Sequence, residues 1–291
     1  MWNIRTSVPE DIPTQRQLWK LAFGDEDAYI DNFYNIYYRP ERVIVLEEGG
    51  AVRSMSAWFD TVFRVPGQGD FRAAYLYAVA THPDCRGRGM SGALMAWADE
   101  YFKSLSIPAV TTVPAEPSLH NFFGANGFRE CFVLAQRELT QLLPRRGDVT
   151  LRPLSPGEYG ALRDRLLEQE GRPYIRYPEQ ALAFQAGCCA VDGGGLYGGT
   201  CPEGAFCLCA EGAGEGRIVC KELLGPPEAR AAALSALGEL APGARWQLRT
   251  PFDGENAPED EKKFAMLKWN DLKTSKKWDW TTVGYLGLAF D

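Results

Sequence analysis

The sequence predicts an α+β fold in which a mixed, partly parallel sheet is flanked by helices. Three observations carry that prediction. Strand-type and helix-type patterning alternate through the first half in the order β-α-α-β-β-β-α-β-α-β. A glycine-rich loop, Arg86–Gly92, joins an apolar strand to an amphipathic helix. After residue 150 the opening pattern returns, which predicts a second, diverged copy of the same fold.

The elements follow in order. Ile4-Arg5 begins a short strand, and Pro9-Glu10-Asp11 opens a helix carrying Leu18, Leu21 and Ala22. A second helix places Tyr29, Phe33 and Tyr37 on one face. Residues 42–48 and 51–59 flank Gly49-Gly50, the signal of a hairpin. Residues 71–81 form the next strand, and the helix after the loop aligns Met90, Ala93, Leu94, Trp97, Ala98, Tyr101 and Phe102. Residues 108–113 read as a strand, 119–125 as a short helix and 128–139 as a last strand. A break at 141–149, with Pro144, Arg145, Arg146 and Gly147, reads as a linker between domains at 1–140 and 150–291. In the second domain, residues 217–224, 246–250, 264–269 and 284–290 read as strands, and 228–240 as one helix.

Bulk properties bound the function. A chain of 291 residues is long enough for two cores. A net charge of −7 argues against a general nucleic-acid binder. No apolar run approaches the roughly 20 residues of a membrane helix, and MWNIRTSVPED is not a signal peptide, so a cytoplasmic protein with no membrane partner is expected. The eight cysteines include no C-x-x-C pair, and His82 and His120 are the only histidines. No metal site is expected from these spacings.

The strand, turn, glycines and helix of residues 74–94 build an anion cradle. Unpaired amides at a helix N-terminus point at the ligand, and glycines let the backbone approach it. Arg86 and Arg88 add charge, so the ligand carries phosphates. No Lys follows the glycines, which excludes a P-loop. Gly87, Gly89 and Gly92 have the Rossmann G-x-G-x-x-G spacing, but the surrounding strands do not alternate with helices in the Rossmann manner.

This block, with Val79, Pro83, Arg86-Gly87, Gly89 and, at the last motif position, Ser91 in place of Gly or Ala, resembles motif A of the GNAT superfamily of N-acetyltransferases. The resemblance implies the GNAT fold in two tandem copies, the second degenerate, and acetyl-CoA as the phosphate-bearing ligand. It implies that Ala78, Val79, Ala80 and Thr81 hold the pantetheine arm and polarise the thioester carbonyl. Arg86, Gly87, Arg88, Gly89, Met90 and Ser91 would meet the pyrophosphate. The expected reaction is acetyl transfer to a primary amine of a small molecule or peptide; the alternative is a non-catalytic acyl-CoA-binding sensor or scaffold.

The resemblance also locates a departure. Many members carry F-Y-x-x-x-G-F, whose Tyr protonates the leaving thiolate; here the run is Phe122-Phe123-Gly124-Ala125-Asn126-Gly127-Phe128. Phe123 has no proton to give, so Tyr75, Tyr77 or His120 stands in, or the protein turns over slowly. For the base the candidates are Glu116, His120 and the Asp291 carboxylate. The last follows the two-domain layout, which resembles the enhanced-intracellular-survival acetyltransferases. Asp25, Glu26, Asp27 and Asp31, interleaved with Tyr29, Phe33, Tyr34, Tyr37 and Tyr38, suit a cationic amine. In the second domain the loop equivalent is Gly225-Pro226-Pro227-Glu228; prolines offer no amides and Glu228 adds a like charge, so no CoA is expected there.

Overall fold

The computed structural model describes residues 1–139, 141–253 and 257–290. Setting short 3₁₀ and π turns aside, the first half runs β1 (Trp2–Thr6), α1 (Ile12–Phe23), α2 (Asp27–Asn32), β2 (Val43–Glu48), β3 (Ala51–Val65), β4 (Gly69–Thr81), α3 (Met90–Ser104), β5 (Ala109–Thr112), α4 (Pro117–Ala125) and β6 (Arg129–Leu139), the order read from the sequence. The remainder runs β7 (Arg152–Pro153), α5 (Pro156–Glu170), β8 (Tyr174–Arg176), α6 (Glu179–Val191), β9 (Gly195–Cys201), β10 (Gly204–Gly212), β11 (Arg217–Leu224), α7 (Pro227–Leu234), α8 (Leu237–Leu240), β12 (Arg245–Pro251), β13 (Glu261–Trp269) and α9 (Leu272–Lys277). No helix among the described residues is long and apolar enough to cross a membrane.

Packing divides the chain into two units. Unit 1 comprises Met1–Phe63, Asp70–Cys131 and Ala265–Thr282; unit 2 comprises Arg64–Gly69, Phe132–Phe264 and the segment from Val283 onward. The division is therefore not a single cut at the 141–149 linker. The second half of β13 returns to unit 1 because it pairs antiparallel with β5, from Met266/Thr112 to Trp269/Ala109.

In unit 1 the strand order is β1-β2-β3-β4-β5-β13. Gly49 and Gly50 both have positive φ (61° and 77°), as a two-residue hairpin turn between β2 and β3 requires. One face of the sheet presents Ile44, Leu46, Trp58, Ala74, Leu76, Val110 and Met266 to Met90, Leu94, Met95, Ala98 and Phe102 of α3. Each large apolar side chain buried there contributes roughly 1.5–3 kcal/mol. On β3 and β4, Phe59, Tyr75 and Tyr77 form a ring cluster in which Phe59 and Tyr77 meet Phe33, and Tyr77 also meets Trp19 of α1. The second helix is shorter than the aromatic spacing predicts. It passes into a π turn over Phe33–Tyr37, with Tyr38 N–H bonded to the Phe33 carbonyl at 2.9 Å.

Unit 2 repeats the plan with strand order β6-β12-β11-β10-β9-β7 and a parallel β11–β12 pair bridged by α7 and α8. Two expectations change here. Residues 228–240 are not one helix, because the chain tightens to 3₁₀-type bonds at Ser235 and Ala236 between α7 and α8. Residues 284–290 are extended but make only isolated bridges at Gly284 and Tyr285. Side chains satisfy their carbonyls in place of a ladder: Arg163 and Tyr177 donate to Leu286 (3.0 and 3.2 Å), Tyr177 to Leu288 (2.6 Å) and Lys221 to Ala289 (3.1 Å).

Candidate active site

The parallel register of β4 and β5 runs from Ala73/Ala109 to Leu76/Thr112 and ends there, while β4 continues through Tyr77 to Thr81. The strands therefore part at Tyr77. The next residue, Ala78, has φ of +49°, a left-handed conformation costly for any residue with a Cβ. This kink interrupts side-chain alternation. Leu76 and Val79, three apart, both pack toward α3, while Tyr77 lies in the cluster with Trp19, Phe33 and Phe59.

Past Thr81 a 3₁₀ turn (Pro83–Cys85) leads to the glycine loop. Gly87 and Gly89 have φ of +73° and +81°, and a Cβ at either would meet no protein atom within 4 Å. These glycines are thus required by backbone conformation, and the space above them is open. The amide of Ala93 makes the first helical bond of α3, to the Gly89 carbonyl at 3.0 Å. The amides of Met90, Ser91 and Gly92 precede it and have no intrahelical acceptor. Cys85 and Met90, both buried, anchor the loop in the core at its two ends. Hydroxyls brace its base, with Thr81 Oγ1 2.8 Å from both Ser54 Oγ and Ser91 Oγ.

The two arginines differ. Arg86 is exposed, with Nε 3.3 Å from the Thr81 carbonyl. Arg88 forms a two-pronged pair with Glu48 at the end of β2 (2.8 and 2.6 Å). Arg88, with the indole N–H of Trp2, holds the Glu48 carboxyl below its usual range.

The candidate acids and bases are scattered. Phe123 is buried (4% exposed) in the core beneath α3, edge-on to Phe122 and Phe128. Glu116 is exposed at the start of α4 and bonds Ser118 of its own first turn. His120 Nδ1 lies 2.6 Å from Glu130 of β6. Tyr75 is buried, whereas Tyr77 is half-buried with its hydroxyl 3.2 Å from that of Tyr29. Asp291 lies outside the described residues; Phe290, before it, is buried in unit 2 against Tyr177 and Phe184. Three of the four acids near the second helix are partnered, with Asp25 accepting from Trp19 (2.6 Å), Asp27 pairing with Lys20 (2.7 Å) and Asp31 with Arg16 (2.6 Å), while Glu26 is exposed. Tyr29, Glu48 and Glu130 gain their importance from contacts 48, 40 and 10 residues away in sequence, and no local motif marks them.

Comparison with known proteins places this arrangement. Residues 3–127 match the family model of the acetyltransferase (GNAT) domain. Residues 3–127 are a GNAT acetyltransferase domain. The match spans β1 to α4, hence the parted strands, the kink and the glycine loop. A conserved protein from Enterococcus faecalis V583, described as a probable N-acyltransferase, superimposes with a TM-score of 0.73 at 14% identity, covering 94% of this chain and 74% of its own. Eis1 from Mycobacterium abscessus gives 0.68 at 16% identity, covering 94% and 75%. A tandem GNAT protein from the clavulanic acid biosynthesis pathway gives 0.58 at 14% identity, covering 93% and 99%. These likenesses extend the GNAT fold, in two tandem copies, to the whole chain. No match is found among curated proteins.

The counterpart of the glycine loop in unit 2 is closed. Gly225 (φ +143°) lies so near β10 that a Cβ would meet the Ala205 carbonyl at 2.8 Å, and Pro226 and Pro227 open α7 without amides.

Proposed function

We propose that the protein is an acetyl-CoA-dependent N-acyltransferase that acetylates a primary amine of a small molecule or peptide. The observation that carries this reading is the cradle at Arg86–Ser91: two left-handed glycines under open space, at the head of a helix whose first amides are unspent. A pyrophosphate needs clustered donors, close backbone approach and positive potential, and these residues offer all three. The GNAT match over residues 3–127 supports the same ligand. Acetyl-CoA supplies an acyl group already activated as a thioester.

The chain's own residues have three tasks. Amides of Gly87–Ser91 and the Arg86 guanidinium bind phosphate oxygens. The kinked backbone of Ala78–Thr81, freed from β5, offers donors to polarise the acyl carbonyl. The wall made by Tyr29, Tyr34 and Tyr38, all half-buried, borders the acceptor. Since Asp25, Asp27 and Asp31 already have partners, any preference for a cationic amine rests on these rings and on the exposed Glu26.

Calorimetric titration with acetyl-CoA, followed by release of CoA thiol across a panel of polyamines, aromatic amines and amino-acid amides, tests the reading. One binding site per chain and amine-dependent thiol release are expected. Binding without amine-dependent release would identify an acyl-CoA-binding module, and absence of binding would overturn the site.

A further inference from the structure

We propose that Tyr77 is the catalytic acid of this site and that Tyr29 positions it; the inference rests on the acyltransferase reading above. The position that resembles the family's acid holds Phe123, which is buried in the core beneath α3 and carries no proton. His120 has its Nδ1 2.6 Å from Glu130, which leaves Nε2 as its only nitrogen for proton transfer, and it lies on α4 and not on the parted strand. Tyr75 is 2% exposed. Tyr77 differs from all three. It is half-buried, it stands where β4 and β5 part, and it immediately precedes the kink at Ala78 whose following amides are the candidate donors to the acyl carbonyl.

Its ring is fixed on three sides, by Trp19 (5.4 Å, edge-on), Phe59 (5.4 Å, edge-on) and Phe33 (6.3 Å). Its hydroxyl meets that of Tyr29, 3.2 Å away, at the start of the aromatic wall. Tyr29 thereby sets the direction of the Tyr77 O–H and can stabilise the phenolate left after proton donation. In the step, the amine nitrogen forms a bond to the acyl carbon and the carbon–sulfur bond breaks. The Tyr77 hydroxyl gives its proton to the departing sulfur. The proton lost from the amine passes to solvent, from which Tyr77 is reprotonated, so the products are the amide and the free thiol.

The test reads binding first and turnover second. In the wild-type protein CoA should bind about tenfold more tightly than desulfo-CoA, because a phenol donates to the sulfur. In Tyr77→Phe that ratio should fall to about one while desulfo-CoA affinity holds. In Tyr29→Phe it should fall part of the way, a change that loss of packing alone would not produce. With the best amine of the panel, Tyr77→Phe should lower kcat about 10²-fold with the KM for acetyl-CoA unchanged. A ratio unaffected by Tyr77→Phe overturns the assignment whether or not an amine substrate is found. Restoration of turnover by Phe123→Tyr in the Tyr77→Phe background would place the acid on α4 and overturn it too. Wild-type protein that binds CoA but acetylates no amine defeats the acyltransferase reading and the catalytic role together.

Discussion

Replacing Gly89 separates the conformational role of the cradle from its ligand role. At φ of +81° an Ala costs about 1–2 kcal/mol, as for any L-residue held left-handed. No clash adds to this, because the new Cβ meets nothing within 4 Å. For a domain of this size each kcal/mol is worth about 2–4 °C, so Gly89→Ala should melt roughly 2–8 °C below wild type without ligand. Gly89→Glu incurs the same backbone cost and adds a carboxylate where the pyrophosphate should sit. Acetyl-CoA at about a hundred times its Kd stabilises a folded protein by about 2.7 kcal/mol, a rise of roughly 5–11 °C. Thermal melts with and without acetyl-CoA should show that rise in wild type and none in Gly89→Glu. A Gly89→Glu protein that keeps the rise refutes the assignment of the loop.

Other perturbations probe separate parts of the chain. Glu48→Gln should free Arg88 from its two-pronged pair, tighten acetyl-CoA binding a few-fold and steepen its salt dependence, as titration at two ionic strengths would reveal. Phe123→Tyr should cost about 1–3 kcal/mol by forcing a hydroxyl into the core and should leave turnover no faster, checked by urea unfolding and thiol release. Asp11 is partly desolvated, yet bonds from Arg5 (2.7 and 2.9 Å) and Val8 N–H (2.8 Å) outweigh that and hold its carboxyl below the usual aspartate range. Its stabilisation is present above the ordinary pKa of the unfolded chain and lost as pH falls through the lower folded one. Asp11→Asn should therefore destabilise at neutral pH, with a gap that closes on acidification; a gap constant with pH would contradict the pairing. In unit 2, Glu222→Gln should cost about 3–5 kcal/mol, because Arg163, 1% exposed, loses its buried counter-charge at 2.8 Å; urea unfolding measures it.

How far the sequence carried the fold depends on how local each signal was. Gly49-Gly50 marked its hairpin because two adjacent positive φ angles are a demand that glycine meets at no steric cost. The apolar stripe of α3 marked its buried face. By contrast β9 drew no expectation. Its Gly198 and Gly199 weaken strand patterning, and they are there because a Cβ would meet Leu154 at 2.6 Å and the Thr150 carbonyl at 2.0 Å. The segment 284–290 had the composition of a strand, but whether a neighbouring strand or side-chain donors would satisfy its carbonyls was not written locally.

The sequence by itself determined the glycine loop, the strand that feeds it and the helix that leaves it, since strand patterning, positive-φ glycines and an amphipathic stripe are short-range properties. It also showed that Phe123 cannot act as an acid, since that is a property of one side chain. Only the tertiary structure decided which groups stand near the parted strands. It bound Arg88 to Glu48, tied His120 to Glu130, matched Asp25, Asp27 and Asp31 with partners, and set the hydroxyls of Tyr29 and Tyr77 against each other. The reason is distance along the chain: a pair 48 residues apart meets only because α2 packs on the face of the sheet that carries the Tyr77 side chain of β4, and no spacing in the sequence encodes that contact.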